Sequence, residues 1–201
     1  MFTGIVTDIG EVLSVKARAD NLHRLKIACG YPRLGIADGA SIACSGVCLT
    51  VVGAGAEDGR TWFAADAAAE TLRLTTAATW RHGSRLNLER ALKIGDELGG
   101  HLVSGHADGI AEVIAREDLP EMARLAFRAP AALSRFIAQK GSVALDGVSL
   151  TVNEVADDTF AVLVIPHTLQ VTTLGALGVG DKINLEVDQM ARYAARLMEG
   201  R

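Results

Sequence analysis

Cys48 and Ser149, a thiol and a hydroxyl able to hydrogen bond or to add to an electrophile, stand in nearly the same stretch of sequence: "GVCLTVV" at 46–52 and "GVSLTVN" at 147–153. Alternate residues of a strand share a face, so Cys48 with Thr50, and Ser149 with Thr151, make two short polar faces. Val47, Leu49 and Val51, and in the second copy Val148, Leu150 and Val152, point the other way. His101 follows Gly99 and Gly100, where a backbone without β-carbons can approach another group closely, and an imidazole there suits acid–base work near neutral pH. Lys140 precedes the second copy, and Asp188 stands as an N-cap before the last apolar-periodic segment.

Other patterns carry less. His101 and His106, five apart, fall on opposite faces of a strand without carboxylate or thiol neighbours at zinc spacing, so no metal site is expected. "GAGAEDG" at 53–59 lacks G-x-G-x-x-G spacing and lies between two strands, which predicts a hairpin turn and not a dinucleotide loop. Cys29, Cys44 and Cys48 are odd in number, without a C-x-x-C pair, and read as reduced thiols.

The elements that position these residues are written twice. "SIACSGVCLTV" (41–51) aligns with "SVALDGVSLTV" (142–152), and "TGIVTDIGEV" (3–12) with "SGHADGIAEV" (104–113), both at an offset of 101. "ETLRLTT" (70–76) matches "HTLQVTT" (167–173) and "GSRLNLE" (83–89) matches "GDKINLE" (180–186) at an offset of 97, a loop having lost four residues. Matched blocks in one order predict two homologous domains, 1–97 and 98–187, meeting near "IGDELGG", with a helix over 188–201. Short β-branched segments punctuated by glycine, as at 47–52, 61–65 and 85–89, predict an all-β barrel or sandwich in each half. A short helix is expected within "DLPEMARLAF" (118–127) and "APAALSRFIAQK" (129–140), with Pro130 opening the latter's first turn. In the tail Met190, Ala194, Leu197 and Met198 form an apolar stripe at helical spacing.

Bulk composition narrows the partners. Half the 201 residues are hydrophobic, enough for real cores, and a net charge of −4 offers no basic field for nucleic acid or anionic lipid. No apolar run reaches the roughly 18 residues of a membrane span, and the N-terminus has neither the basic nor the apolar part of a signal peptide, so a cytoplasmic protein is expected.

"MFTGIV" at 1–6, "CLTV" and "SLTV" in the two halves, "GGHLVSGH" at 99–106 and "NLEVD" at 184–188 together resemble the riboflavin synthase alpha-chain family over essentially the whole chain. The resemblance implies two closed six-stranded Greek-key β-barrels in tandem plus a C-terminal α-helix, assembled as a homotrimer. It implies a dismutation in which two molecules of 6,7-dimethyl-8-ribityllumazine exchange a four-carbon unit and leave as riboflavin and 5-amino-6-ribitylaminouracil, with no cofactor and no metal. One substrate donates and the other accepts, so the two binding sites must differ, and Cys48 against Ser149 marks the difference. The first barrel of one chain is expected to face the second barrel of a neighbour.

Carried over, the first-barrel site is Gly4, Ile5 and Val6, then Cys48, Leu49 and Thr50, with Asp66, Ala67, Ala68, Ala69, Glu70 and Thr71 along the ring edge. The second is Gly100, His101 and Leu102, then Lys140, then Ser149, Leu150 and Thr151, with Leu163, Val164, Ile165, Pro166, His167 and Thr168. "FAADAAAETL" (63–72) departs from the family pattern in being longer and alanine-rich. His101 is the expected acid–base group, Ser149, Thr151 and Cys48 hydrogen bond the rings or add to C7, and Asp188 orients His101 or a ribityl hydroxyl of the neighbouring subunit. The alternative is a non-catalytic lumazine- or flavin-binding antenna protein on the same duplicated barrel. Polar residues in both halves favour the enzyme. A flavin-reductase barrel would need an R-x-Y-S strand and a nucleotide domain, which the sequence lacks.

Overall fold

The computed structural model describes residues 1–199 and holds two closed antiparallel barrels of six strands each. The first is built from β1 (Asp8–Ala17), β2 (His23–Cys29), β3 (Ser41–Cys44), β4 (Val47–Glu57), β5 (Arg60–Ala67) and β6 (Arg85–Arg90), closing in the order β1-β2-β5-β4-β3-β6. The second uses β7 (Gly109–Leu119), β8 (Met122–Arg128), β9 (Ser142–Leu145), β10 (Val148–Ala156), β11 (Thr159–Val164) and β12 (Lys182–Val187) in the same cyclic order. The repeat reaches into irregularities. Register shifts fall between Val12 and Ser14 and between Val113 and Ala115, and again between Val51 and Gly53 and between Val152 and Glu154. Such bulges bend strands where a small barrel must curve, so both copies keep them. Closure leaves no sheet edge unpaired.

The alternation read from the sequence fills two separate cores, one around Leu25, Ile27, Phe63, Leu86 and Leu88, the other around Leu125, Phe127, Leu145, Ile183 and Leu185. Each such fully buried side chain contributes roughly 1.5–3 kcal/mol. Two expectations change. Residues 122–128 form β8, because Ala123, Leu125 and Phe127 alternate inward at strand spacing, and only Ala131–Ser134 (α2) is helical. Gly53 to Glu57 continue β4, and the turn is confined to Asp58 and Gly59, both with positive φ as a tight hairpin requires.

Two short helices, α1 (Ala69–Leu74) and α3 (Pro166–Val171), follow β5 and β11 at equivalent places. The tail forms α4 (Gln189–Met198), whose first turn is capped by Asp188 accepting from Met190 N at 2.9 Å. On the second barrel Arg192 pairs with the buried Asp108 carboxylate and Arg135 with Glu199, while Met190, Tyr193, Leu197 and Met198 stay exposed. No helix of the described residues is long and apolar enough to cross a membrane.

An approximate two-fold axis relates the barrels. Phe2 and Val103, equivalent in the repeat, exchange backbone hydrogen bonds of 2.7 and 3.1 Å. Gly46 and Gly147 meet so closely that a β-carbon on Gly46 would lie 2.7 Å from the Gly147 nitrogen. Asn87 donates to Asp146 O and accepts from Thr173 N, while Asn184 donates to Ser45 O and accepts from Thr76 N. Reciprocal bonds between equivalent residues make the contact self-complementary.

Candidate active site

The approximate symmetry brings each site strand under the other half's leading segment. Ser149 N on β10 donates to Gly4 O at 2.8 Å, and Cys48 N on β4 donates to Gly105 O at 2.7 Å. Gly4 and Gly105 have φ of +75° and +76°, and β-carbons there would fall 2.5 Å from Ser149 Cβ and 2.7 Å from Cys48 Cβ. Only glycine permits both the backbone conformation and the approach. The expectation that Gly4, Ile5 and Val6 line the first barrel is therefore corrected: Gly4 lies on Ser149, and Val6 packs against the second core. Residues 104–107 take the corresponding place on the first barrel.

At the second-barrel site His101 Nδ1 lies 2.7 Å from Ser149 Oγ. The histidine is held by its backbone N–H donating to Thr3 O at 3.1 Å, and a β-carbon on Gly100 would sit 2.1 Å from the same oxygen, so the "GG" before His101 serves close packing. Nε2 is buried with no hydrogen-bond partner among the described residues. Burial holds the imidazole below its ordinary pKa, with the charges of Asp188 and Glu186 opposing. One ring nitrogen is thus fixed by a hydroxyl, the other is buried without a partner, and burial favours the neutral form of the ring. Thr151 is exposed on the Ser149 face, Leu150 is half-buried, and Lys140 donates its backbone N–H to Val152 O with its side chain in solvent. Leu163 and Ile165 are exposed, Pro166, His167 and Thr168 form the first turn of α3, and Val164 is wholly inside the barrel.

The first-barrel site is a cleft of about 190 Å3 lined by Cys48, Glu70, Thr71, Leu74, Gly105, His106 and Ala107. Thr50 is exposed on the Cys48 face, whereas the Leu49 and Ala67 side chains are buried in the core, leaving only their backbone to a ligand. Ala68 precedes α1, and Ala69, Glu70 and Thr71 form its first turn. Asp66 is engaged by Arg24 through two hydrogen bonds, which hold its carboxyl below the usual range. His106 occupies the position that Ile5 holds in the other half. Sequence reading gave it no role, although the alignment of "TGIV" with "SGHA" carried the signal.

Asp188 caps α4 and acts on His101 through its charge, without a hydrogen bond to the ring among the described residues. Leu102 is exposed and accepts from Gln189 through its carbonyl. A larger cleft of about 410 Å3 lies between the leading segment and the linker, lined by Ile5, Tyr31, Glu89, Lys93 and Glu97 among others, and contains neither Cys48 nor Ser149.

Two barrels from one repeat, each presenting a polar strand face and a helix turn beneath a segment of the other half, define a tandem-barrel protein with a pair of related but unequal polar faces. The lumazine binding domain model matches twice, over residues 3–91 and 104–188. The chain is 55% identical over 200 residues to the riboflavin synthase of Brucella abortus (strain 2308), covering 99% of this chain and 98% of that one. To the riboflavin synthase of Mycobacterium tuberculosis (strain ATCC 25618 / H37Rv) it is 44% identical, with 98% of each covered. The crystal structure of LumP complexed with riboflavin superposes with a TM-score of 0.80 at 26% identity, over 93% of this chain and 99% of that one. The chain belongs to the riboflavin synthase family of lumazine-binding-domain proteins.

Proposed function

We infer that the chain catalyses the dismutation of two 6,7-dimethyl-8-ribityllumazine molecules into riboflavin and 5-amino-6-ribitylaminouracil. The observation that carries this reading is the inequality of the two equipped sites: His101 with Ser149 on one, Cys48 with His106 on the other. Two lumazines contain all the atoms of both products, so neither oxidant nor co-substrate enters. Holding the two rings in register converts a bimolecular encounter into a step within one complex, which removes most of its entropic barrier. The acidic C7 methyl of one lumazine gives its proton to a base, and the resulting carbanion attacks the other ring. His101, whose Nδ1 meets Ser149 Oγ at 2.7 Å, is the group assigned to take that proton. Later the four-carbon unit leaves its donor nitrogens, and the same imidazolium can return a proton to them. Thr50 and Thr151 supply hydroxyls for the heterocycle edges, and the first turns of α1 and α3 border the rings.

The productive pair is proposed to form between the first barrel of one subunit and the second barrel of another in a cytoplasmic homotrimer. Supporting this, the exposed Met190, Leu197 and Met198 on α4 have no partner within the described residues. A non-catalytic antenna reading draws on the likeness to LumP. It is disfavoured by the full set of polar groups on both barrels. Purified protein incubated with the lumazine alone should generate riboflavin absorbance; binding without that absorbance would decide for the antenna.

A further inference from the structure

The leading segments are each held by one carboxylate, and the hydrogen bonds run crosswise. Glu89, on β6 of the first barrel, accepts Thr3 N at 2.7 Å and Thr3 Oγ at 2.8 Å through Oε1, and Gly4 N at 3.0 Å through Oε2. The two carbonyls of that dipeptide point the other way: Thr3 O receives His101 N and Gly4 O receives Ser149 N. One carboxylate of the first barrel thus stands behind both members of the His101–Ser149 pair of the second. Glu186, on β12 of the second barrel, repeats the pattern with Ser104 N at 2.7 Å, Ser104 Oγ at 2.7 Å and Gly105 N at 2.9 Å. Gly105 O then receives Cys48 N, and Ser104 Oγ also accepts from His106 N at 3.3 Å. Both glutamates are buried on strands, and neither has an ion-pair partner among the described residues. Each spends its oxygens on N–H and O–H donors of a single dipeptide.

We propose that Glu89 and Glu186 are positioning residues that act crosswise, Glu89 setting the geometry of the second-barrel site and Glu186 that of the first. This rests on reading Cys48 and Ser149 as marks of the two substrate sites. A carboxylate is the fitting group because it accepts at both oxygens, and hydrogen bonds to a charged acceptor are about twice as strong as neutral ones. A glutamine offers one acceptor oxygen and turns an NH2 toward the second donor, so Glu89→Gln keeps the shape and loses the clamp. The arrangement also ties the sites together: neither barrel completes its own site without the other half's last strand.

The test uses full-length protein and readouts independent of turnover. The His101 ring is titrated by NMR on 15N-histidine-labelled protein, and the Cys48 thiol is timed by iodoacetamide alkylation, Cys29 and Cys44 being buried. In E89Q the His101 midpoint should rise toward the free value by about half a pH unit or more as water enters. Its Cys48 rate should stay within about twofold of the parent's. In E186Q the Cys48 rate should change about fivefold or more, and the His101 midpoint, having lost the Glu186 charge that opposes its depression, should move down and not up. Thr3→Val and Ser104→Ala each remove one hydroxyl while keeping the carboxylate, and should give the same crosswise pattern more weakly; they decide the matter if circular dichroism shows a glutamine variant unfolded. A changed Cys48 rate in E89Q, a His101 midpoint that rises in E186Q, or no effect in either variant would overturn the proposal. Crosswise effects in a protein that makes no riboflavin would sink the functional reading and leave the clamps standing. Turnover without crosswise effects would do the reverse.

Discussion

His101 Nδ1 and Ser149 Oγ stand 2.7 Å apart across 48 positions of chain, the histidine arriving from the linker between barrels and the serine from inside β10. Two unrelated pieces of backbone meet there because Thr3–Gly4 receives a hydrogen bond from each. The pair leaves Nε2 buried and without a hydrogen-bond partner among the described residues.

Replacing either member should cost more in turnover than in affinity. His101→Ala and Ser149→Ala are each expected to lower kcat on the order of 100-fold while riboflavin binding changes little. The double variant should fall about as far as the worse single one, because the two act as a unit. Steady-state kinetics and fluorescence titration read the split. An equal loss of affinity would make the pair a binding contact only.

A depressed His101 pKa has a definite sign. The neutral, base-competent imidazole persists to lower pH than a free histidine allows, so the acid limb of kcat/KM should have its midpoint below the ordinary value of about 6.5. In stability, the unfolded chain takes up its proton near 6.5 and the native one only lower. The native state therefore loses relative stability as pH falls below about 6.5, and His101→Gln should flatten that dependence. A midpoint above 7 would contradict the burial argument.

Cys48 separates hydrogen bonding from covalent chemistry. Cys48→Ser keeps a small donor on the strand face and should retain more activity than Cys48→Ala, by about tenfold if one hydrogen bond is at stake. Serine and alanine variants equally inactive would instead assign the thiolate as nucleophile.

Much of this was readable in one dimension. The duplication and the two strand faces follow from repeat alignment and strand parity, and the capped tail helix from Asp188 and apolar spacing. Cys48, Ser149 and His101 were singled out by the repeat and the glycines before His101, and given roles only by the family resemblance. Exchange of leading segments was not, since a segment that crosses to the other barrel has the same local pattern as one that stays. Gly4 was thereby assigned to the wrong barrel and His106 passed over. Residues 122–128 misled for a different reason: a run such as "MARLAF" has fair helix propensity, and only pairing with β7 and β11 makes it a strand. Ala67 and Val164 were named within continuous site stretches, but strand alternation turns their side chains inward.

The tail helix has its own test. Deleting residues 189–201 removes the exposed Met190, Leu197 and Met198 without opening either core. The truncated protein is expected to keep its β-sheet circular dichroism and ligand binding, to become largely monomeric by light scattering, and to lose most of its turnover. A fully active monomer would mean that the two barrels of one chain supply a complete site.

The central claim is that two lumazines meet on unequal sites and one gives the other its four carbons. The direct measurement supplies lumazine labelled with 13C in both methyl groups and quantifies label in each product after conversion by the purified protein. The expected result is two lumazines consumed per riboflavin, all label in riboflavin and none in the ribitylaminouracil, because the donor's four carbons move as one unit. Label remaining in the uracil product, or tight binding of lumazine with no riboflavin formed, would contradict it.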